Sequence, residues 1–255
     1  MQLFLSVTAA QTQEASRYTR ALAHRSYRIG PESTLLRQSM LLQTRGGLLS
    51  VSSQESPRVE DPEALCAAVL RECSRRGYSG AVLDFQVPIR SDLERFAGQL
   101  SRTLSANRRT LYVPESYAPA APGAIVLIST ALSGGSLQER LRDALQQYSG
   151  RAALLVERVR MDFTLPARTG EGTPLTAQEL EALMERESPS VFFSQDLCAR
   201  YFTYTQGGQG HFVLFDDGET IAHKLRTGTA LGFSAAFLCV SQVQDLLPSL
   251  FPRRS

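Results

Sequence analysis

The feature that most constrains this chain is a recurrence. Short, unbroken apolar runs return from one end to the other, with helix-like stretches between many of them. The runs are Leu3–Val7, Leu48–Ser52, Ala81–Phe85, Thr110–Val113, Ala124–Ser129, Ala153–Val159 and Phe233–Val240. Apolar residues follow one another there instead of alternating with polar ones, as they do in a strand buried on both faces. Helix starts fall between the runs. Asp61-Pro62-Glu63 offers an N-cap followed by proline in the first turn, and Ser91-Asp92-Leu93-Glu94 reads as a capping box. Ser136 opens a third helix with Leu137, Leu141, Ala144 and Leu145 at helical spacing, and Thr176-Ala177-Gln178-Glu179 caps a fourth. Strand and helix in alternation predict an α/β fold built on a parallel sheet. Seven or eight strand units in 255 residues favour a (β/α)8 TIM-type barrel, one domain spanning residues 1–255, over a doubly wound sheet.

Two stretches depart from the pattern. In residues 27–46, Thr34–Gln43 fits either a short helix or a strand, so the second βα unit is expected to be degenerate. Residues 164–218 are too long for a loop and read as an insertion before the last helix–strand unit. Inside it, Phe202–Thr205 and Phe212–Phe215 flank Gln206-Gly207-Gly208-Gln209-Gly210 and predict a β-hairpin.

Composition removes several function classes. A hydrophobic fraction of 43% with net charge +2 excludes a disordered chain. Basic and acidic residues number 27 and 25 without a basic block, which speaks against nucleic acid as a partner. Arginine outnumbers lysine 26 to 1, Lys224 standing alone, and tryptophan is absent. Cys66, Cys73, Cys198 and Cys239 form no CxxC pair and read as buried free thiols. His24, His211 and His223 fall in no metal-ligand spacing, so neither metal nor other cofactor is expected. The opening MQLFLSVTAAQ lacks a basic n-region and is far too short to span a bilayer; a soluble, cytoplasmic protein without a membrane partner is the expectation.

Most motif-like strings fail on context. Gly77-Tyr78-Ser79-Gly80 imitates a nucleophile elbow, but the elbow follows a strand and here the strand comes after it. Ser133-Gly134-Gly135-Ser136 lacks the Lys-Ser/Thr ending of a phosphate loop and reads as a tight turn. Asp84 is more informative. It stands near the C-terminal end of an otherwise apolar strand, at the rim where barrel sites are built, and a lone buried carboxylate there would be costly. Capping a loop or pairing with a rim arginine is the alternative reading of this residue.

The segment Gly77–Gln86 resembles the fourth-strand signature of glycoside hydrolase family 18, Asp-Gly-x-Asp-x-Asp-x-Glu. Gly80 and Asp84 match it; Ser79 and Val82 replace the first two Asp residues, and Gln86 stands at the catalytic Glu. Met161-Asp162-Phe163-Thr164-Leu165-Pro166 is similar to the Tyr-Asp-Trp-Thr-Leu-Pro of the bacterial spore-cortex-lytic, peptidoglycan-cleaving branch. His211–Asp217 with Ile221 and Lys224-Leu225 resembles that branch's His-x-Val-Trp-Phe-Glu-Asp, Ser-Ile and Lys-Leu run, and Gly232–Phe237 its Gly-x-x-x-x-Trp eighth strand.

The resemblance implies a substrate-assisted mechanism, an exception among glycosidases, in which the sugar's acetamide oxygen attacks while the Glu protonates the leaving group. Asp84 could still orient the acetamide. Gln86 has no proton to give near neutral pH. The sixth-strand Met-x-Tyr-Asp appears as Ile128-Ser129-Thr130-Ala131, and the Trp flooring the sugar pocket as Phe237.

Four losses in one constellation imply a pseudo-enzyme that binds a glycan containing N-acetylglucosamine, chitin-like or peptidoglycan, without hydrolysing it. Asp84, Gln86, Glu115, Asp162, Phe163, Tyr204 and Phe237 are the candidate contacts. Two other readings stay open. One is an active glycosidase with a relocated acid, Glu115 being preferred to Glu157; the other is a protein-interaction scaffold without a sugar ligand.

Overall fold

The computed structural model describes residues 1–38, 45–85, 88–166 and 172–251. In chain order the strands are β1 (Gln2–Val7), β2 (Leu22–Ile29), β3 (Leu35–Arg37), β4 (Leu48–Ser52), β5 (Gly80–Asp84), β6 (Thr110–Pro114) and β7 (Ile125–Ser129). They continue with β8 (Ala152–Val156), β9 (Arg160–Thr164), β10 (Thr173–Pro174), β11 (Phe192–Ser194), β12 (Ala199–Gln206), β13 (Gln209–Phe215) and β14 (Ala235–Cys239). The helices are α1 (Thr12–Ala15), α2 (Pro62–Arg76), α3 (Ser91–Ala106), α4 (Leu137–Gln147), α5 (Ala177–Glu187), α6 (Gly218–Leu231), α7 (Val240–Val243) and α8 (Leu247–Leu250).

Eight strands pair in parallel in the order β1-β14-β8-β7-β6-β5-β4-β2, and pairing of β1 with β2 closes the ring. This is the (β/α)8 barrel. Phe4, Val82, Tyr112, Leu127 and Phe237 are among the side chains filling its interior. A larger apolar cluster lies between the strands and the outer helices, with Leu65 and Val69 of α2 and Phe96 and Leu100 of α3 fully buried in it.

The strand that the apolar runs leave out is β2. Its sequence, Leu-Ala-His-Arg-Ser-Tyr-Arg-Ile, carries four polar side chains, yet His24 and Ser26 are buried. A bulge between Arg25 and Tyr27 shifts its register with β4. After β2 the chain adds β3 antiparallel to it, and no α-helix lies between β2 and β4 among the described residues. The second unit is thus degenerate, as expected, although residues 39–44 lie outside the described set. A 3₁₀ turn, Glu115–Tyr117, is the helical element between β6 and β7.

Capping follows the sequence in three helices and departs from it in one. Asp61, Ser136 and Thr176 each accept a backbone N–H from their first turn. Ser91 is already helical and caps nothing. Asp92 is instead drawn into the protein, where its carboxylate accepts from Val59 N at 2.7 Å and from Arg90 Nη2 at 2.6 Å. A distant amide and the neighbouring Arg90 hold Asp92 in place of the local box. Burial pushes the Asp92 carboxyl up, but Arg90 and the Val59 amide outweigh it and hold it down at about 2.

The insertion starts earlier than residue 164. The chain leaves the barrel after Val156, and β9 is the second strand of an antiparallel sheet ordered β10-β9-β13-β12-β11. The predicted hairpin is β12–β13. Gln206 pairs with Gln209 across Gly207 (φ 59°) and Gly208 (φ 79°), a two-residue turn that needs positive φ at both positions. One face of this sheet packs Phe202, Val213 and Phe215 against Leu180 and Leu183 of α5; the other carries Val159, Phe163, Ala199 and Leu214.

Where the insertion rejoins the barrel, Asp216 accepts from Val159 N (2.8 Å), Thr220 Oγ1 (2.8 Å) and Lys224 Nζ (2.6 Å). The chain's single lysine is therefore a fully buried counter-ion, its side chain 1% exposed. Of the four thiols, Cys66, Cys73 and Cys198 are buried and Cys239 is half-buried; all are free. Among the described residues no helix is long and apolar enough to cross a membrane.

Candidate functional site

The C-terminal ends of the barrel strands surround a cavity of about 360 Å³. Strand alternation turns every second side chain of a barrel strand inward, while Glu157 and Gln242 enter the wall from beyond the strand ends. Ser6 comes from β1, Arg25 from β2, Ser50 from β4, and Val82 and Asp84 from β5. Leu127, Glu157, Phe237, Cys239 and Gln242 complete the far side.

Asp84 meets Arg25. Arg25 Nη2 and Nε both donate to Asp84 Oδ2, at 3.0 and 3.2 Å, and Arg25 Nη1 reaches Cys239 Sγ at 3.3 Å. Cys239 Sγ in turn lies 3.2 Å from Ser241 Oγ. One guanidinium thus crosses the mouth from the second strand to the eighth, tying up one oxygen of the retained Asp. On the opposite wall Ser129 Oγ donates to Glu157 Oε2, and the Glu157 backbone N–H donates to Thr130 Oγ1 at 3.3 Å. Among the described residues, Asp84 and Glu157 are the carboxylates that line this cavity.

The other candidates fall elsewhere. Gln86 lies outside the described residues. Glu115 turns to the outer layer, where Arg140 and Tyr148 of the α4 region bond its two oxygens. Asp162 belongs to the insertion: Tyr204 Oη donates to it at 2.7 Å and His211 Nδ1 lies 3.1 Å from both of its oxygens. Tyr204 stacks on His211 with centroids 4.5 Å apart, and burial together with Asp162 pushes its phenol up to about 12. Phe163 is 5% exposed on the opposite sheet face. Phe237 lines the mouth but is 1% exposed, with Phe4 stacked on it (4.9 Å, 12°) and Tyr112 edge-on (4.8 Å, 66°).

Sequence reasoning passed over Arg25 and ranked Glu157 below Glu115. The missed signal was an arginine at an inward position of a strand too polar to read as one.

A second cavity of about 480 Å³ adjoins the first and shares Glu157 and Gln242 with it. Its walls are Ala131–Ser133 beyond β7 and Met161, Phe163, Pro174 and Leu214 of the insertion. The cleft therefore runs from the barrel mouth to the insertion sheet.

The closed parallel barrel is the fold also seen in solved chitinases, one of them of glycoside hydrolase family 18, and in a spore cortex-lytic enzyme. No protein-family model and no curated protein matches the sequence. Solved structures do match. The chitinase of Chromobacterium violaceum superposes with a TM-score of 0.66 at 16% identity, each chain covered in full (100%). The spore cortex-lytic enzyme SleL of Bacillus megaterium gives 0.65 at 13%, with 94% of this chain and 71% of that one covered. The family 18 chitinase of Cycas revoluta, solved with (GlcNAc)3, gives 0.65 at 13% with 98% of both chains covered.

Proposed function

We propose that this chain is a catalytically impaired relative of the family 18 hydrolases, a single barrel domain that binds a glycan containing N-acetylglucosamine at the barrel mouth without cleaving it. The observation that carries the proposal is the mouth itself, an open cavity that reaches Asp84 while Arg25 occupies that carboxylate. About 360 Å³ falls in the range of small-ligand sites, about 300–1,000 Å³. Serines, carboxylates and a guanidinium on an apolar floor suit a sugar, which needs hydrogen-bond partners around an apolar ring face.

The same geometry argues against turnover. In substrate-assisted cleavage a positive charge develops on the acetamide beside the Asp two residues before the acid. A guanidinium already paired with Asp84 takes up the negative charge that would stabilise it and sets a cation nearby. Gln86 cannot protonate a leaving group, and Thr130 stands where the Tyr of the sixth strand would be.

A hydrolase reading is carried by one observation. Glu157, in the cavity with Asp84, would be its acid, since Glu115 is bonded to the outer layer. Release of a fluorescent aglycone from N-acetylglucosamine oligomers by wild type, Gln86→Glu and Glu157→Gln separates the two. No turnover by wild type and little by Gln86→Glu are expected, because general acid catalysis supplies only about 10²–10⁴-fold of the rate. Wild-type turnover abolished in Glu157→Gln would establish a relocated acid. Absence of oligomer binding by calorimetry at millimolar ligand would leave the scaffold reading.

A further inference from the structure

The charges at the barrel mouth do not balance. Arg25, Asp84 and Glu157 line it, and Arg25 is committed to Asp84, so the Glu157 carboxylate is left over. One neutral donor meets it, Ser129 Oγ on Oε2, and Oε1 has no partner among the described residues. The neighbouring guanidiniums do not neutralise it. Arg158 donates to both oxygens of Asp245, at 2.7 and 2.9 Å, and to the carbonyls of Gln242 and Asp216, at 3.1 and 3.3 Å. Arg160 stands in the wall of the adjoining cavity and forms no ion pair among the described residues. No three His, Cys, Asp or Glu side chains among the described residues are grouped to hold a metal ion, which points to an organic cation.

A cavity wall with one uncompensated carboxylate favours a positively charged ligand, the more so where the space is partly closed to water. The groups that would read an acetamide are altered in the same place. Arg25 holds Asp84, and Thr130, at the position of the sixth-strand Tyr, gives its hydroxyl oxygen to the Glu157 backbone N–H at 3.3 Å. Asp84 Oδ1 remains open, since both guanidinium bonds go to Oδ2. Ser129 and Glu157 come from β7 and the end of β8, across the ring from β2, so a cation at that wall lies away from Arg25.

We propose that the mouth is specific for a glucosamine unit with a free 2-amino group, Glu157 Oε1 accepting from its ammonium and Asp84 Oδ1 from a ring hydroxyl. The proposal rests on the glycan reading of the mouth and narrows the ligand to a partly de-N-acetylated chain, in which both sugars occur.

Calorimetric titration with N-acetylglucosamine trimer and with its fully de-N-acetylated counterpart tests it, at mildly acidic pH where the sugar amine is protonated. Wild type should bind the amine form about tenfold more tightly, the size of a charged hydrogen bond at a partly exposed site. Higher salt should shrink that preference by screening the pair. Glu157→Gln should abolish it, and Glu157→Asp should keep part of it. Equal affinities in wild type, or tighter binding of the acetylated form, would overturn the amine assignment and leave the mouth reading intact; that comparison needs no variant. A preference that persists in Glu157→Gln would overturn Glu157 as its source. Spermidine bound as tightly as the amine oligomer would overturn recognition of a sugar in favour of a general cation site. Binding of neither oligomer would overturn both readings.

Discussion

The seam where the insertion rejoins the barrel and the barrel mouth treat their polar groups in opposite ways. At the seam, Asp216 is fully buried and its carboxylate is bonded by an amide, a hydroxyl and the ammonium of Lys224. At the mouth, Asp84 and Arg25 are each about one-third exposed and border open space. Residues that carry the sequence likeness to the cortex-lytic branch, and residues that depart from it, are found in both regions. Of the residues that match, Asp162, His211 and Lys224 sit in hydrogen-bonded networks of the insertion and its seam, and Asp84 at the mouth. Val82 and Phe237, which depart from the family pattern, line the mouth, and Met161, Phe163 and Leu214 depart from it within the insertion.

Breaking the seam should have the largest effect. Lys224→Met leaves a buried carboxylate uncompensated and is expected to cost about 3–5 kcal/mol in urea unfolding. Adding Asp216→Leu to that variant should recover much of the loss, since a buried ion pair replaced by apolar groups is often near neutral. A double variant as unstable as the single one would show that the pair does more than satisfy itself.

The next effect is set by pH. Burial pushes the His24 imidazole down to about 4 from its ordinary 6.5. The unfolded chain therefore binds a proton that the native one refuses, so stability is full above about pH 6.5 and falls as pH drops toward 4. The loss approaches about 3 kcal/mol across that window. Asp92, held at about 2, extends the decline below about pH 3.8. Thermal melts of His24→Gln should lose the upper part of the slope and keep the lower; an unchanged slope would remove His24 from the account.

The mouth should respond in binding rather than in stability. Arg25→Met is expected to change unfolding free energy by no more than about 1 kcal/mol, because the pair is partly exposed. It frees Asp84 Oδ2 to accept a ligand N–H and should tighten trimer binding by up to about tenfold, the size of one hydrogen bond to a charged group. Weaker binding in calorimetry would mean that Arg25 itself holds the sugar.

Helix starts give the smallest contrast. Thr176→Ala removes a working cap and should cost about 1 kcal/mol, whereas Ser91→Ala, whose hydroxyl caps nothing, should be close to neutral in the same urea titration.

The sequence by itself determined the barrel. Unbroken apolar runs can only be buried on both faces, and local signals at Asp61, Ser136 and Thr176, with the Gly207-Gly208 turn, act within a few residues of themselves. Tertiary structure decided the rest. β2 is a strand because its neighbours β1 and β4 supply the pairing that its own polar residues do not announce. Ser91 lost its cap because Asp92 found Val59 and Arg90, more than 30 positions away in one case and adjacent in space in both. The sequence favours Glu115 at the rim over Glu157 within the seventh run, and the outer Arg140 and Tyr148 draw Glu115 away from the mouth while Glu157 lines it. Arg25 and Asp84 are 59 residues apart, and no local pattern could pair them before the ring closed. Strand alternation is written into a sequence, whereas the partner across a barrel mouth is fixed only by closure of the sheet.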